Sequence, residues 1–206
     1  QTFDAQQATI VPGFTDAHNH APGAILLYEV IVGNPYDVEF VTIRSITDKL
    51  RAKAEQMPPG AWVEGFFFDD TKVKDKRELE ASDLDEVSLD HPVVVRHRGG
   101  HTSYYNHKAL EMAGITKNTP NPPGGTYDRN KAGDLTGRVT DLARNAIERV
   151  GTRRTFTPEQ RQQRDRDGLA FISKQFVRYR LTSVHHEGGN LRALQEVRTR
   201  GELLHR

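Results

Sequence analysis

The sequence predicts an α/β fold that forms part of a TIM-like (β/α) barrel. Apolar runs near residues 8–20, 92–101 and 180–187 predict buried strands, and each run ends in polar residues. Helical patterns lie between these runs, and strands that alternate with helices indicate a parallel sheet. A complete barrel needs eight strand–helix units over roughly 250 residues, whereas this sequence supplies about three. We therefore expect one partial barrel domain over residues 1–206, truncated at both ends.

Local start signals define two of the predicted helices. The pattern over residues 45–57 is helical, with Ser45 or Thr47 expected as its N-cap. Thr157 is followed by proline at the first helical position and glutamine at the third, which predicts a helix that runs to about residue 179.

The remaining segments are assigned from composition and periodicity. Residues 61–68 are rich in aromatic side chains and are predicted to be extended, and residues 140–149 and 191–206 are predicted to be helical. Proline, glycine and asparagine are dense after residue 118, so we expect an insertion-like loop near residues 116–138.

Composition excludes several classes of protein. The formal net charge of +1 gives no global reason to expect a nucleic-acid or anionic-membrane partner. The longest apolar runs are far shorter than the roughly 20 residues of a spanning helix, so no transmembrane segment is predicted. Cysteine is absent, so a metal site must use His, Asp, Glu or Lys. We expect a folded protein located in the cytoplasm.

The first strand candidate ends in His18 and His20. In an extended segment, residues two apart point to the same side, so both imidazoles can face one metal ion. A catalytic metal site keeps one position open for water. His-x-His alone is a weak motif, and two ordinary histidines are the alternative. Asp16 shares their face and is expected to be structural or to orient the imidazoles.

Residues 10–20, Ile-Val-Pro-Gly-Phe-Thr-Asp-Ala-His-Asn-His, resemble the opening strand of the amidohydrolase superfamily. Further segments follow in an order similar to amidohydrolase family 3, which includes N-substituted formamide deformylases and many uncharacterised metal-dependent hydrolases. These matching segments are residues 62–65 with Asp69, 84–85, 92–95, 100–101 with Asn106, 109–110, 113–115, 119–122, 124–125, 128–129 and 135–137. The resemblance extends over nearly the whole chain.

The resemblance implies a TIM-like barrel with a small β-sandwich and one or two divalent metal ions, with zinc favoured. It implies hydrolysis of a C–N bond other than a peptide bond, in a small amide or N-acyl compound. His18 and His20 are metal ligands in this interpretation.

The resemblance also assigns a role to Gly100-His101, which is similar to the family's Gly-His at the end of the second strand. His101 is expected to contact substrate or the metal-bound water, and a structural histidine bonded to backbone is the alternative. Asp141 stands where the family pattern suggests Glu, which puts a direct catalytic role for it in doubt. His97 and His107 have no matching role and are expected to be structural or exposed.

Residues 181–189 resemble a further strand of the family. Alternation places His185 and Glu187 on one face and His186 on the other. Glu187 is the expected catalytic or metal-ligating carboxylate, and His185 is expected to reach the same metal. A plain loop role is the alternative, because a bulge at a strand end shifts the facing.

The sequence begins at Gln1 without a signal-peptide pattern, and no segment after Glu187 supplies the later histidines and the Asp base of the superfamily pattern. We therefore expect a piece of a longer enzyme, inactive in isolation because metal and base must act on the same water. One alternative is a non-catalytic assembly module that pairs with another copy or with the missing half of the barrel through an open sheet edge. Lactonase, deaminase or isomerase chemistry on the same fold is another alternative.

Overall fold

The computed structural model describes residues 2, 4–21, 23–35 and 39–206. The chain divides into two compact units, which we call the discontinuous unit (residues 1–28 and 156–206) and the central unit (residues 29–155). Both contain helices and parallel strands, so the predicted α/β class is confirmed. In chain order the elements are β1 (Phe14–Asn19), α1 (Gly23–Tyr28), β2 (Val30–Ile31), α2 (Ile43–Ala54), β3 (Val63–Phe68), α3 (Ala81–Asp85), β4 (Val93–His97), β5 (Thr102–Tyr105), α4 (His107–Met112), β6 (Tyr127–Arg129), β7 (Leu135–Thr140), α5 (Arg144–Glu148), α6 (Pro158–Arg178), β8 (Leu181–His186) and α7 (Leu191–Thr199).

The central unit is built on a six-stranded sheet of order β2-β3-β4-β5-β7-β6. Strands β2, β3 and β4 are parallel, whereas β5, β7 and β6 are antiparallel to their neighbours. The apolar run Val93–Val95 is completely buried because both faces of β4 are covered. Val93 and Val95 pack in one hydrophobic cluster and Val94 packs in another.

The predicted loop near residues 116–138 needs correction, because β6 and the beginning of β7 lie within it and form an antiparallel pair. Asn130 closes the connection between them, since its side-chain oxygen accepts hydrogen bonds from the backbone N–H groups of Ala132 and Asp134. Asparagine and glycine mark hairpin turns as well as loops, so composition alone did not separate the two. The predicted parallel sheet is also corrected, because the antiparallel pairs of β5, β6 and β7 make the sheet mixed.

The predicted N-cap of α2 is also wrong, whereas that of α6 is confirmed. Thr42 caps α2, and Ser45 is the third helical residue of a capping box in which each residue's backbone N–H donates to the other's hydroxyl. At α6, the backbone N–H of Gln160 donates to the Thr157 hydroxyl, and the Gln160 side chain accepts from the Thr157 N–H. Both helices therefore begin with a capping box, in which the N-cap threonine and its partner are three residues apart.

The discontinuous unit contains the parallel pair β1–β8, with α1, α6 and α7. Arg206 continues the sheet beyond β8, because its N–H donates to the Thr182 carbonyl and its carbonyl accepts from Val184. The strand predicted near residues 8–20 is shorter than expected and occupies Phe14–Asn19. The predicted helix over residues 191–206 ends at Thr199. Among the described residues of the chain, no helix is long and apolar enough to cross a membrane.

Candidate metal centre

The candidate metal centre lies at the C-terminal ends of β1 and β8 in the discontinuous unit. Asn19 pairs with His186 in the parallel ladder, and the N–H of Glu187 donates to the Asn19 carbonyl over 2.7 Å. This register brings the residues that follow the two strands to the same edge of the sheet. In α/β folds, the carboxyl ends of parallel strands are where ligands bind.

His18 and His20 meet at this edge. Their Nε2 atoms are 3.3 Å apart, and their rings cross edge to face with centroids 5.0 Å apart. Two nitrogens bound at about 2.0–2.1 Å to one tetrahedral zinc ion would be separated by roughly 3.3–3.4 Å. The two imidazole nitrogens therefore already have the separation that a shared metal ion requires.

Glu187 lies near the histidine pair on its other side. Its Oε2 atom is 4.0 Å from Nδ1 of His18, the ring nitrogen opposite the one that faces His20, and both side chains are largely exposed. His18, His20 and Glu187 thus lie close together. However, Nε2 of His18 faces His20, whereas Nδ1 of His18 faces Glu187. His185 is exposed on β8.

Asp16 stabilises the backbone beneath the histidines. One carboxylate oxygen accepts from the Asn19 side chain over 2.8 Å, and the other accepts from the backbone N–H of His18 over 3.1 Å. These two hydrogen bonds, the first contributing most, hold the pKa of Asp16 below its usual range. Asp16 therefore fixes the chain at His18 and does not contact the imidazole itself.

His186 packs against α6, with its ring centroid 6.0 Å from that of Phe176. Its Nε2 is 2.8 Å from Nε2 of His205, whose Nδ1 is 2.9 Å from the Ser173 hydroxyl. Burial lowers the pKa of both histidines, and their mutual repulsion adds to the effect at His205. Sequence spacing contains no signal for these contacts, because the pattern of residues 191–206 predicts a helix that includes His205, whereas α7 ends at Thr199.

A cavity of about 940 Å³ lies beside this edge of the sheet. His20 and Glu187 line it together with His186 and His205, and leucines of α6 and α7 supply apolar wall. The cavity volume is within the usual range for a small-molecule site.

The central unit holds a second group of possible metal ligands, which sequence reasoning missed. Asp69, Asp70 and His97 offer ligand atoms that all lie within 4.8 Å of one another. They come together because β3 and β4 are parallel and Phe68 pairs with His97 at their ends. Nε2 of His97 is 3.2 Å from Asp70, and its Nδ1 accepts from the Gly99 N–H. Both ring nitrogens of His97 thus have hydrogen-bond partners, and its structural role stays a prediction.

The ligand atoms of Asp69 already have partners. One oxygen accepts from the N–H and hydroxyl of Thr71, and the other accepts from Arg98 over 3.0 Å. Burial alone would raise the pKa of Asp69, but these hydrogen bonds outweigh it and hold the pKa low. A cation is thus already present as the guanidinium group, and a metal ion would have to displace it.

His101 belongs to the central unit, at the turn before β5. Its Nδ1 is 2.8 Å from Oδ1 of Asp141, and its side chain is 82% exposed. The ring is bonded to a carboxylate, so the alternative of an imidazole bonded to backbone is wrong for this residue. His107 is similarly paired with Asp85, at 2.6 Å.

Comparison with known proteins identifies the family. Residues 1–206 match the amidohydrolase family, and the chain belongs to that family. It is 30% identical over 148 residues to the N-substituted formamide deformylase of Arthrobacter pascens, a match that covers 71% of this chain and 27% of the deformylase. It is 29% identical over 146 residues to the putative amidohydrolase YtcJ of Bacillus subtilis, covering 68% of this chain and 26% of YtcJ. The chain thus spans about a quarter of the length of these curated relatives.

Solved structures were also found to be similar. An uncharacterized metal-dependent hydrolase from Pyrococcus horikoshii has a TM-score of 0.47 and 19% identity, over 94% of this chain and 35% of that one. A second uncharacterized metal-dependent hydrolase, from Pyrococcus furiosus, has a TM-score of 0.46 and 18% identity, over 94% of this chain and 36% of its own.

Proposed function

We propose that this protein is a metal-dependent hydrolase that cleaves a C–N bond other than a peptide bond in a small amide or N-acyl compound. The observation that carries the proposal is the 3.3 Å separation of the His18 and His20 Nε2 atoms at a parallel strand edge. Membership of the amidohydrolase family supports hydrolysis, and the deformylase relative supports an N-substituted amide as substrate.

In this proposal His18 and His20 hold a divalent metal, with zinc favoured because nitrogen ligands at this separation suit a tetrahedral ion. Such a metal makes bound water easier to deprotonate. Glu187 is proposed to accept a proton or to join the ligand set, and the second role requires its side chain to rotate from the Nδ1 side of His18 toward the side that faces His20. His185, near the end of β8, is proposed to reach the same metal. His101 is proposed to contact substrate or the reacting water.

Several wider features belong to the same proposal. The chain is proposed to form part of a TIM-like barrel and to be located in the cytoplasm. Its partner is a small-molecule substrate, and pairing with another copy or with further barrel strands stays a prediction.

Metal binding by the 206-residue chain tests the histidine pair directly. We expect Co²⁺ or Zn²⁺ titration by calorimetry to show one site that is weakened by roughly 100-fold or more in His18→Ala and in His20→Ala. Loss of a direct ligand should exceed the roughly 10- to 100-fold cost of losing an outer hydrogen-bond partner.

His107→Ala is the matched control, because His107 is also exposed but is paired with Asp85 in the central unit. Its metal affinity should equal that of the unmodified chain. Equal affinity in all four proteins would contradict the assignment of His18 and His20.

The C–N specificity is tested by activity of the full-length protein on matched substrates. An N-substituted formamide should be hydrolysed, while a lactone of similar size and a dipeptide should not. Preference for the lactone would overturn the proposed reaction and leave the metal assignment intact.

A further inference from the structure

We infer that Asp141 is a positioning residue that holds the imidazole of His101 in one tautomer, with Nδ1 protonated and Nε2 available as an acceptor. The inference deepens the proposed function, because it concerns how His101 would meet substrate or water. The Asp141 side chain has no role in that proposal, and the resemblance to the family put a direct role for it in doubt.

Sheet register places the two residues opposite each other. Strands β5 and β7 are antiparallel, and Thr102 pairs with Thr140. His101 precedes the first of these strands and Asp141 follows the second, so they form the next opposed pair. The N–H of Asp141 donates to the His101 carbonyl over 2.8 Å and extends the ladder by one bond.

The backbone of Asp141 is strained in a way that aims its side chain. Its φ angle is +44°, in the left-handed region that residues other than glycine seldom occupy. Such strain persists only where the surroundings determine the conformation. Here the chain turns from β7 into a 3₁₀ helix at Asp141–Ala143, and the Asp141 carboxylate meets the imidazole at the turn.

The contact fixes which ring nitrogen carries the proton. A carboxylate oxygen only accepts, so the 2.8 Å contact requires a hydrogen on Nδ1 of His101. A neutral imidazole has one N–H, and its Nε2 then keeps a free lone pair. Because the His101 ring is largely exposed, that lone pair is open to a ligand or to water.

Stability alone does not account for the pair. Ion pairs and hydrogen bonds between exposed side chains contribute little to folding, with a median near zero. The gain from the contact is therefore orientation of the ring and choice of tautomer, as a carboxylate supplies to many functional histidines.

Nitrogen-detected or long-range ¹H–¹⁵N NMR of the 206-residue chain tests the tautomer without metal or substrate. The neutral His101 ring, assigned by comparison with His101→Asn, should show a protonated Nδ1 and an unprotonated Nε2. Asp141→Asn should shift His101 toward the other tautomer, because an amide donates as well as accepts. A spectrum unchanged by Asp141→Asn would overturn the inference.

Two Asp141 variants separate the side-chain role from the backbone role. Asparagine tolerates a positive φ better than most residues but loses the carboxylate, whereas glutamate keeps the carboxylate and tolerates that backbone less well. We expect Asp141→Asn to lower kcat of the full-length protein by roughly 10- to 100-fold, the range seen when the partner of a functional imidazole is removed. Asp141→Glu should retain more activity. The reverse order would show that only the backbone matters.

A double variant and the metal-binding result together distinguish failure of this inference from failure of the proposed function. Asp141→Asn added to His101→Asn should cause no further loss of kcat, because both changes remove the same contribution. If His18→Ala left metal binding unaltered, the hydrolase proposal would fail while the NMR result on His101 would stand.

Discussion

Glu148→Ala is expected to lower the free energy of unfolding of the central unit by about 3 kcal/mol, because it leaves two half-buried guanidinium groups short of a partner. Glu148 accepts two hydrogen bonds from Arg96, at 2.9 and 3.0 Å, one from Arg153 at 2.8 Å and one from the Tyr105 hydroxyl at 2.8 Å. Glu64 would then be the remaining carboxylate for both arginines. Arg96 and Glu148 are about a quarter exposed, which places the cost at the lower end for a buried pair.

Urea unfolding followed by tryptophan fluorescence measures this effect in the central unit. The chain has one tryptophan, Trp62, which is buried beneath Arg153 in that unit. Glu111→Ala is the matched control, because the Glu111 side chain is 77% exposed and its ion pair with Lys108 is long, at 3.9 Å. A change within about 0.5 kcal/mol is expected for it. Equal effects of the two substitutions would contradict a stabilising role for the network.

Acid should reduce the difference between the unmodified chain and Glu148→Ala. Burial alone would raise the pKa of Glu148, but the hydrogen bonds and charge of Arg96 outweigh it, so the folded pKa lies below the ordinary value of 4.5. A depressed carboxyl pKa contributes stability that is complete above the unfolded value and is lost as pH falls through the folded one. The two proteins should therefore converge well below pH 4.5 and differ most near neutral pH.

Local patterns were sufficient for much of the fold. The Thr157 capping box begins α6 where the sequence indicates, and the buried run after residue 92 forms β4. Both features depend on neighbours within four residues or on continuous apolar composition. The hairpin of β6 and β7 was not predicted because asparagine and glycine mark loops as well as hairpin turns, and β6 is only three residues long.

The residues of the candidate sites also differ in whether local sequence is enough to predict their contacts. His18 and His20 were found because an i, i+2 pair in a strand converges by local geometry alone. The contact of His101 with Asp141 depends on antiparallel register across 40 residues, and that of His97 with Asp70 depends on parallel register between β3 and β4. Sequence spacing contains no signal for either register, so these partners become visible only in the folded chain.

Gly168→Leu is expected to destabilise the discontinuous unit by about 3 kcal/mol, because α1 and α6 touch backbone to backbone at this position. A Cβ atom on Gly168 would lie 2.3 Å from the backbone nitrogen of Ala24, and one on Gly23 would lie 2.0 Å from the Gly168 carbonyl oxygen. Neither obstacle is a flexible side chain, so the helices must separate. Helix propensity favours replacement of a mid-helix glycine by alanine or leucine by about 1 kcal/mol, and the clash must exceed that gain.

Hydrogen exchange of the α1 and α6 amides measures the loss, while Trp62 fluorescence should be unaltered because that residue lies in the other unit. Lys174→Leu adds the same side chain to an exposed position of α6 and is the matched control. Gly168→Ala should fall between the two, since a single methyl group clashes less and gains the same propensity. Faster exchange in Lys174→Leu than in Gly168→Leu would show that the helices can separate without loss, and that the two glycines do not hold α1 against α6.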